Sequence, residues 1–178
     1  MDHQTRPRSC GSYTANLLGN IKSHLAALQG YDVMALELIQ NADDAKAEKV
    51  TFDVTDKGLF VINSGEFTYC GDLHTRPCGF IATKNYSCDY HRIADVGSGG
   101  KLSRGDNIGR FGIGFVSTYQ ITDHPEIHSS GIKLVLHPEK GQWFIEPLVH
   151  TQGTTCFLPW ADDPNTEARQ ALGVSHIS

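Results

Sequence analysis

The sequence predicts an α+β fold in two layers, a mixed and mostly antiparallel sheet with helices on one face. Three observations predict it. Two helical patterns come early, before residue 48. A strand–turn–strand pattern follows at 50–62. Four further short strand-like runs then fill 126–158. Runs of strands after clustered helices give layered α+β architectures.

The elements follow in order. From Tyr13 to about Gln29, Leu17, Leu18, Ile21, Leu25 and Leu28 share one side of a helix, and Gly30 breaks it. A second helix is expected from Asp32, a residue type that caps helices, to about Ala47. Val50-Thr51-Phe52-Asp53-Val54 alternates with period two, Asp56-Lys57-Gly58 is a turn, and Leu59-Phe60-Val61-Ile62 is a more buried strand. Together they read as an antiparallel hairpin. Residues 64 to about 107 lose periodicity and read as a long loop with a short helix at Asp89 to Ala94. Such loops in compact domains are functional or disordered. A helix start is expected at Phe115 to Ile121. Strands are expected at Glu126 to His128, Ile132 to Leu136, Trp143 to Ile145 and Thr154 to Leu158. Residues 161–178 are polar and weakly patterned, read as a C-terminal segment or the start of a linker after a domain at 1–160.

Composition narrows the function. The 178 residues are 39% apolar and 20% charged, so the chain is globular material long enough for one core. Net charge is −5, which argues against direct nucleic-acid binding by this domain. No run of eighteen apolar residues exists, so no membrane span is expected, and the N-terminal residues lack the apolar stretch of a signal peptide. A cytoplasmic location is the expectation. Five cysteines without a secretion signal read as free thiols. Cys70, His74, Cys78, Cys88 and His91 share one segment. Their spacing matches no common zinc finger, so free thiols in a loop are the plainer reading and zinc the alternative.

Two features carry chemistry. On the second helix, Glu37, Asn41 and Asp44 fall within roughly 60° of one another. Met34, Leu38 and Ala42 fill the adjoining arc, so these polar groups border the apolar face and do not oppose it. A metal ion and a polar ligand would satisfy them, although the spacing alone also fits an amphipathic helix with acids at its rim. The second feature is glycine density: Gly97, Gly99, Gly100, Gly105, Gly109, Gly112 and Gly114 lie within 95–114. Glycine lets backbone N–H groups approach a phosphate closely. Phe111, Ile113 and Phe115 among and after them argue against a flexible linker. Neither a P-loop nor a dinucleotide fingerprint is present.

Glu-Leu-Ile-Gln-Asn-Ala-Asp-Asp-Ala at 37–45 and Ile-Gly-Arg-Phe-Gly-Ile-Gly-Phe at 108–115 resemble the GHKL superfamily of gyrase, heat-shock-ninety-type chaperones, histidine kinases and MutL. Within it they look closest to the sacsin-like and chaperone-like branch. The resemblance covers about Asp32 to Leu158. It implies a Bergerat fold, ATP and Mg²⁺ as ligands, and a lid at about 68–107. It implies that Glu37 is the general base, Asn41 the magnesium ligand and Asp44 the acid beside the nucleoside. Asn63 and Gly65 match the adenine end, where the family usually has Asp-x-Gly. Gly97, Gly99, Gly100 and Lys101 match the lid stretch near the phosphates. Gly109, Arg110, Phe111, Gly112, Ile113 and Gly114 match the loop around the phosphates, with Lys101 and Arg110 the candidate cations. Thr154 matches a threonine near the adenine. The implied function is magnesium-dependent ATP binding with slow hydrolysis, as the N-terminal ATPase module of a larger protein carrying effector domains, with a homodimer possible in such families. The alternatives are a nucleotide switch without turnover and a zinc-stabilised interaction module.

Overall fold

Six strands pair antiparallel in the order β1-β2-β6-β3-β4-β5. They are β1 (Val50–Val54), β2 (Gly58–Asn63), β3 (Glu126–Ser129), β4 (Ile132–His137), β5 (Gln142–Pro147) and β6 (Thr154–Pro159). The computed structural model describes residues 17–27, 30–95, 114–149 and 152–174. All five pairings among these are antiparallel, so the mixed character expected of the sheet does not appear among the described residues. The helices are α1 (Leu17–Ala27), α2 (Tyr31–Asp44), α3 (Gly79–Lys84), α4 (Asp89–Asp95) and α5 (Glu167–Leu172), with a 3-10 helix at Gly114–Gln120. No described helix is long and apolar enough to cross a membrane.

Register sets which strand residues face the helices. Leu59 pairs with Leu158, Val61 with Cys156, and Cys156 with Ile127, which pairs in turn with Leu134. These residues are buried in one cluster with Met34 and Leu38 of α2 and Phe115 of the 3-10 helix. On the opposite face Ile62 is exposed, and Phe60 stacks on Phe157 with ring centroids 4.3 Å apart. A second cluster joins Ile21 and Leu25 of α1 to Val116, Tyr119 and Leu172. Of the stripe expected on the first helix, Ile21 and Leu25 are buried and Leu18 packs against them, while the Leu17 side chain and Leu28 lie outside the described residues.

Three local differences have physical causes. Asp32 does not cap α2. Gly30 holds that position, with no side-chain cap of its own, and its N–H is held by a distant residue. Within the polar stretch 161–178, α5 forms and buries Ala168, Arg169 and Leu172. Thr166 caps it by accepting from the Arg169 N–H at 3.0 Å. Arg169 is 1% exposed. Its guanidinium donates to Asp123 Oδ1 at 2.6 Å and to the carbonyls of Tyr119 and Thr122 at 2.7 and 2.8 Å.

The third difference is the segment read as a long loop. Between 67 and 94 it buries Phe67, Leu73, Cys78, Cys88, Tyr90, Ile93 and Ala94 in the main cluster. Thr68 closes it on Asp89, donating Oγ1–H to Oδ2 at 2.7 Å and accepting the Asp89 N–H at 3.0 Å. Tyr90 donates its hydroxyl to Ser129 O at 2.8 Å, which fixes the segment to the end of β3. Within the lid expected at 68–107, Leu73, Cys78 and most of 88–94 are buried, 79–86 is largely exposed, and 96–107 lies outside the described residues.

Candidate functional site

α2 carries the expected chemistry, and its position is set at both ends. The Gly30 N–H donates to Gln120 Oε1 at 3.0 Å, and Gln120 Nε2 donates to Ser117 O at 3.1 Å. One amide thereby ties the start of α2 to the 3-10 helix. Two turns further along α2, Glu37 lies so close to Gly114 that a Cβ there would overlap its Oε2. Contacts at Gly30 with Gln120 and at Glu37 with Gly114 mean that the two helices run antiparallel. Glycine at 114 is a steric requirement of the Glu37 position. Gly114→Ala is expected to displace the carboxylate and cost about 1–3 kcal/mol, read as a lower urea midpoint. An unchanged midpoint would show that Glu37 swings away freely.

Asn41 and Asp44 continue along the same edge and are half-buried, beside the buried Leu38 and Ala42. Asp44 Oδ2 is shielded from solvent. The far end of the helix meets the ends of two strands. Gly65 sits against Ala45, where a Cβ would lie 2.7 Å from the Ala45 carbonyl oxygen. Asn63, 9% exposed, accepts the Gly65 N–H on Oδ1 at 2.9 Å, a local turn that fixes the backbone after β2. Thr154 Oγ1 lies 2.8 Å from Gly65 O, to which it donates, and 2.9 Å from Ser129 Oγ. Ser129 Oγ accepts the Phe67 N–H at 3.0 Å and donates to Gly153 O at 3.1 Å.

The structure therefore brings Glu37 to Gly114 at the middle of α2, and Asn63, Gly65 and Thr154 together beside its C-terminal end, where Ala45 meets Gly65 and Asp44 is the last helical residue. Seven residues of helix, about 10 Å, run between Glu37 and Asp44. Gly97, Gly99, Gly100, Lys101, Gly109, Arg110, Phe111, Gly112 and Ile113 lie outside the described residues. A hollow lined by Ile21, Phe115, Tyr119, Leu136 and Trp143 lies elsewhere and contains none of the α2 acids. Sequence reading missed Gln120 and Ser129. Period-two counting from Ile127 would have put Ser129 on the helix-facing side of β3. Nothing in the sequence links Gln120 to Gly30, ninety residues away.

A second group of functional side chains gathers in the 67–94 segment. Cys70, Cys78, Cys88 and His91 converge, with all ligand atoms within 4.8 Å of one another. His91 Nδ1 lies 3.3 Å from Cys70 Sγ and 3.2 Å from Cys88 Sγ. Burial pushes the Cys88 thiol up to about 12. Cys78 shifts the other way: burial opposes its thiolate, but N–H donors from Cys88 and Phe80 outweigh that and lower it. His74, grouped with these residues by sequence, instead lies against Trp143, ring centroids 4.8 Å apart.

A family model described as "Sacsin domain" matches residues 14–155. The Arabidopsis thaliana protein NO VEIN is 34% identical over 112 residues, which cover 60% of this chain and 4% of that protein. Homo sapiens sacsin is 33% identical over 113 residues, covering 64% of this chain and 2% of sacsin. The chain thus spans only a small part of the length of these relatives.

Proposed function

The chain belongs to the Sacsin domain family, and from that premise we propose that it is a magnesium-dependent ATP-binding module of the GHKL type, with a Bergerat fold, acting within a larger protein. The observation that carries this reading is the arrangement along α2. An acid packed against glycine stands at the middle of the helix, and a second acid stands at its C-terminal end, next to Ala45, which packs on Gly65 of the Asn63–Gly65–Thr154 network. A base, a metal ligand and a nucleoside contact on one helix edge is the layout that a nucleotide with a reacting phosphate needs.

Asn41 offers a hard oxygen donor, which fits magnesium. When bound, that ion would neutralise charge on the phosphates. Glu37 orients water and accepts its proton as the oxygen attacks the terminal phosphorus, the bond to the bridging oxygen breaks, and ADP leaves. Asp44 contacts the nucleoside and its water network. Asn63 Oδ1 already accepts from Gly65 N–H, and its second lone pair remains for a base amine. Asparagine in place of a carboxylate makes this a weaker, less discriminating contact.

Titration calorimetry with ATP, ADP and GTP in the presence of Mg²⁺ tests the proposal. ATP and ADP are expected to bind, with GTP weaker. No heat with any nucleotide would overturn the reading. Binding with no phosphate release would instead identify a nucleotide switch without turnover.

A further inference from the structure

We propose that Cys70, Cys78, Cys88 and His91 form a closed structural zinc site that fastens the 67–94 segment to the core. Cys78 and Cys88 are 3% and 0% exposed, and His91 is 0% exposed. Cys70 is partly exposed, and one metal ion would serve all three thiols and the imidazole, which converge without a disulfide.

The imidazole is already oriented for a metal. His91 Nε2 lies 3.1 Å from the Thr75 carbonyl, which can only accept, so Nε2 carries the proton. The neutral ring then aims its Nδ1 lone pair at two sulfurs. One lone pair can accept from only one thiol. Metal-binding histidines are held in this way, with the second ring nitrogen donating to a carbonyl.

Backbone N–H groups already point at two of the three sulfurs. The Cys88 N–H donates to Cys78 Sγ at 3.3 Å, and the His91 N–H donates to Cys88 Sγ at 3.4 Å. Such N–H donors favour the anionic form that a metal requires. Cys88 stands just before α4 and His91 in its first turn, while Cys78 immediately precedes α3. Zinc with these donors has sulfur–sulfur and sulfur–nitrogen edges of about 3.5–3.8 Å. The observed 3.2 and 3.3 Å edges to nitrogen, and the 4.8 Å limit on all pairs, lie around that size. Three sulfurs and one nitrogen, three of the four residues buried, select zinc over magnesium or calcium, and four protein ligands would fill a tetrahedral site with no open position for catalysis.

Binding would release the three thiol protons to solvent, giving a site of net charge −1. The energetic need is clear from the segment itself. Its helices α3 and α4 have six and seven residues, too short to stand without packing.

The test uses the full chain without a histidine tag or nucleotide, purified from zinc-supplemented medium. Elemental analysis is expected to give about one zinc per chain. Replacing zinc with cobalt should give thiolate-to-cobalt charge transfer and the intense visible bands of a tetrahedral site. In Cys88→Ser, zinc should fall to about a tenth of that or less. If that variant does not fold, the cobalt spectrum of the native chain still decides. Substoichiometric zinc in the native chain, cobalt uptake without the thiolate band, or a folded Cys88→Ser that keeps its zinc each overturn the site.

Discussion

Asp44→Ala is expected to abolish detectable nucleotide binding, weakening it by about 100-fold or more. A carboxylate facing a nucleoside gives a charge-assisted acceptor, and its removal leaves polar groups of the ligand dry and unpaired. Glu37→Ala is expected to bind nearly as well as the native chain and release phosphate no faster than buffer. The two residues share one helix edge, and on the proposed reading the pair would separate binding from chemistry within a single element. Calorimetry and a phosphate-release assay on both variants check this. Loss of binding in Glu37→Ala with retention in Asp44→Ala would reverse the proposed roles.

Arg169→Ala is expected to cost about 3–5 kcal/mol, a large share of the 5–15 kcal/mol typical of a domain. The substitution leaves Asp123, 8% exposed, without its ion partner. It also strips donors from the carbonyls of Tyr119 and Thr122. Only Thr166, whose hydroxyl donates to Asp123 Oδ2 at 2.7 Å, would remain on that carboxylate. Urea denaturation followed by circular dichroism measures the loss. A change below about 1 kcal/mol would mean that water reaches Asp123 and replaces the guanidinium.

What was legible in the sequence was whatever repeats with the period of its own element. The apolar stripe of α1, the hairpin at 50–62 and the four later strands were read from spacing, and the structure has them. The polar edge of α2 was readable for the same reason, because the apolar arc beside it fixes its orientation. Three features were not readable, each for a distinct cause. Gly30, a residue without a side chain, begins α2 and is held by Gln120 ninety residues away, whereas the sequence offers Asp32 as the start. The short helix at 89–94 is readable and the structure has it as α4, but the rest of the 67–94 segment buries cysteine and aromatic residues at irregular intervals, which resembles a loop to a periodic test. Arg169 marked its stretch as polar, since a charge shows its burial only through a partner such as Asp123, forty-six residues distant.

The strand order also fixes a sequence of assembly. The β1–β2 hairpin and the β3–β4–β5 meander each pair locally, and only β6 joins them, binding β2 on one side and β3 on the other. A chain emerging from the ribosome can build both halves early, but the sheet closes only after residue 159 is available. Leu59 must wait for Leu158, ninety-nine residues later, and such distant pairings make for slow folding. Thr154 opens that final strand, so the network around Asn63 and Gly65 is completed last. Until then the edges of β2 and β3 stand open, the period in which a nascent chain of this topology is most exposed to mispairing.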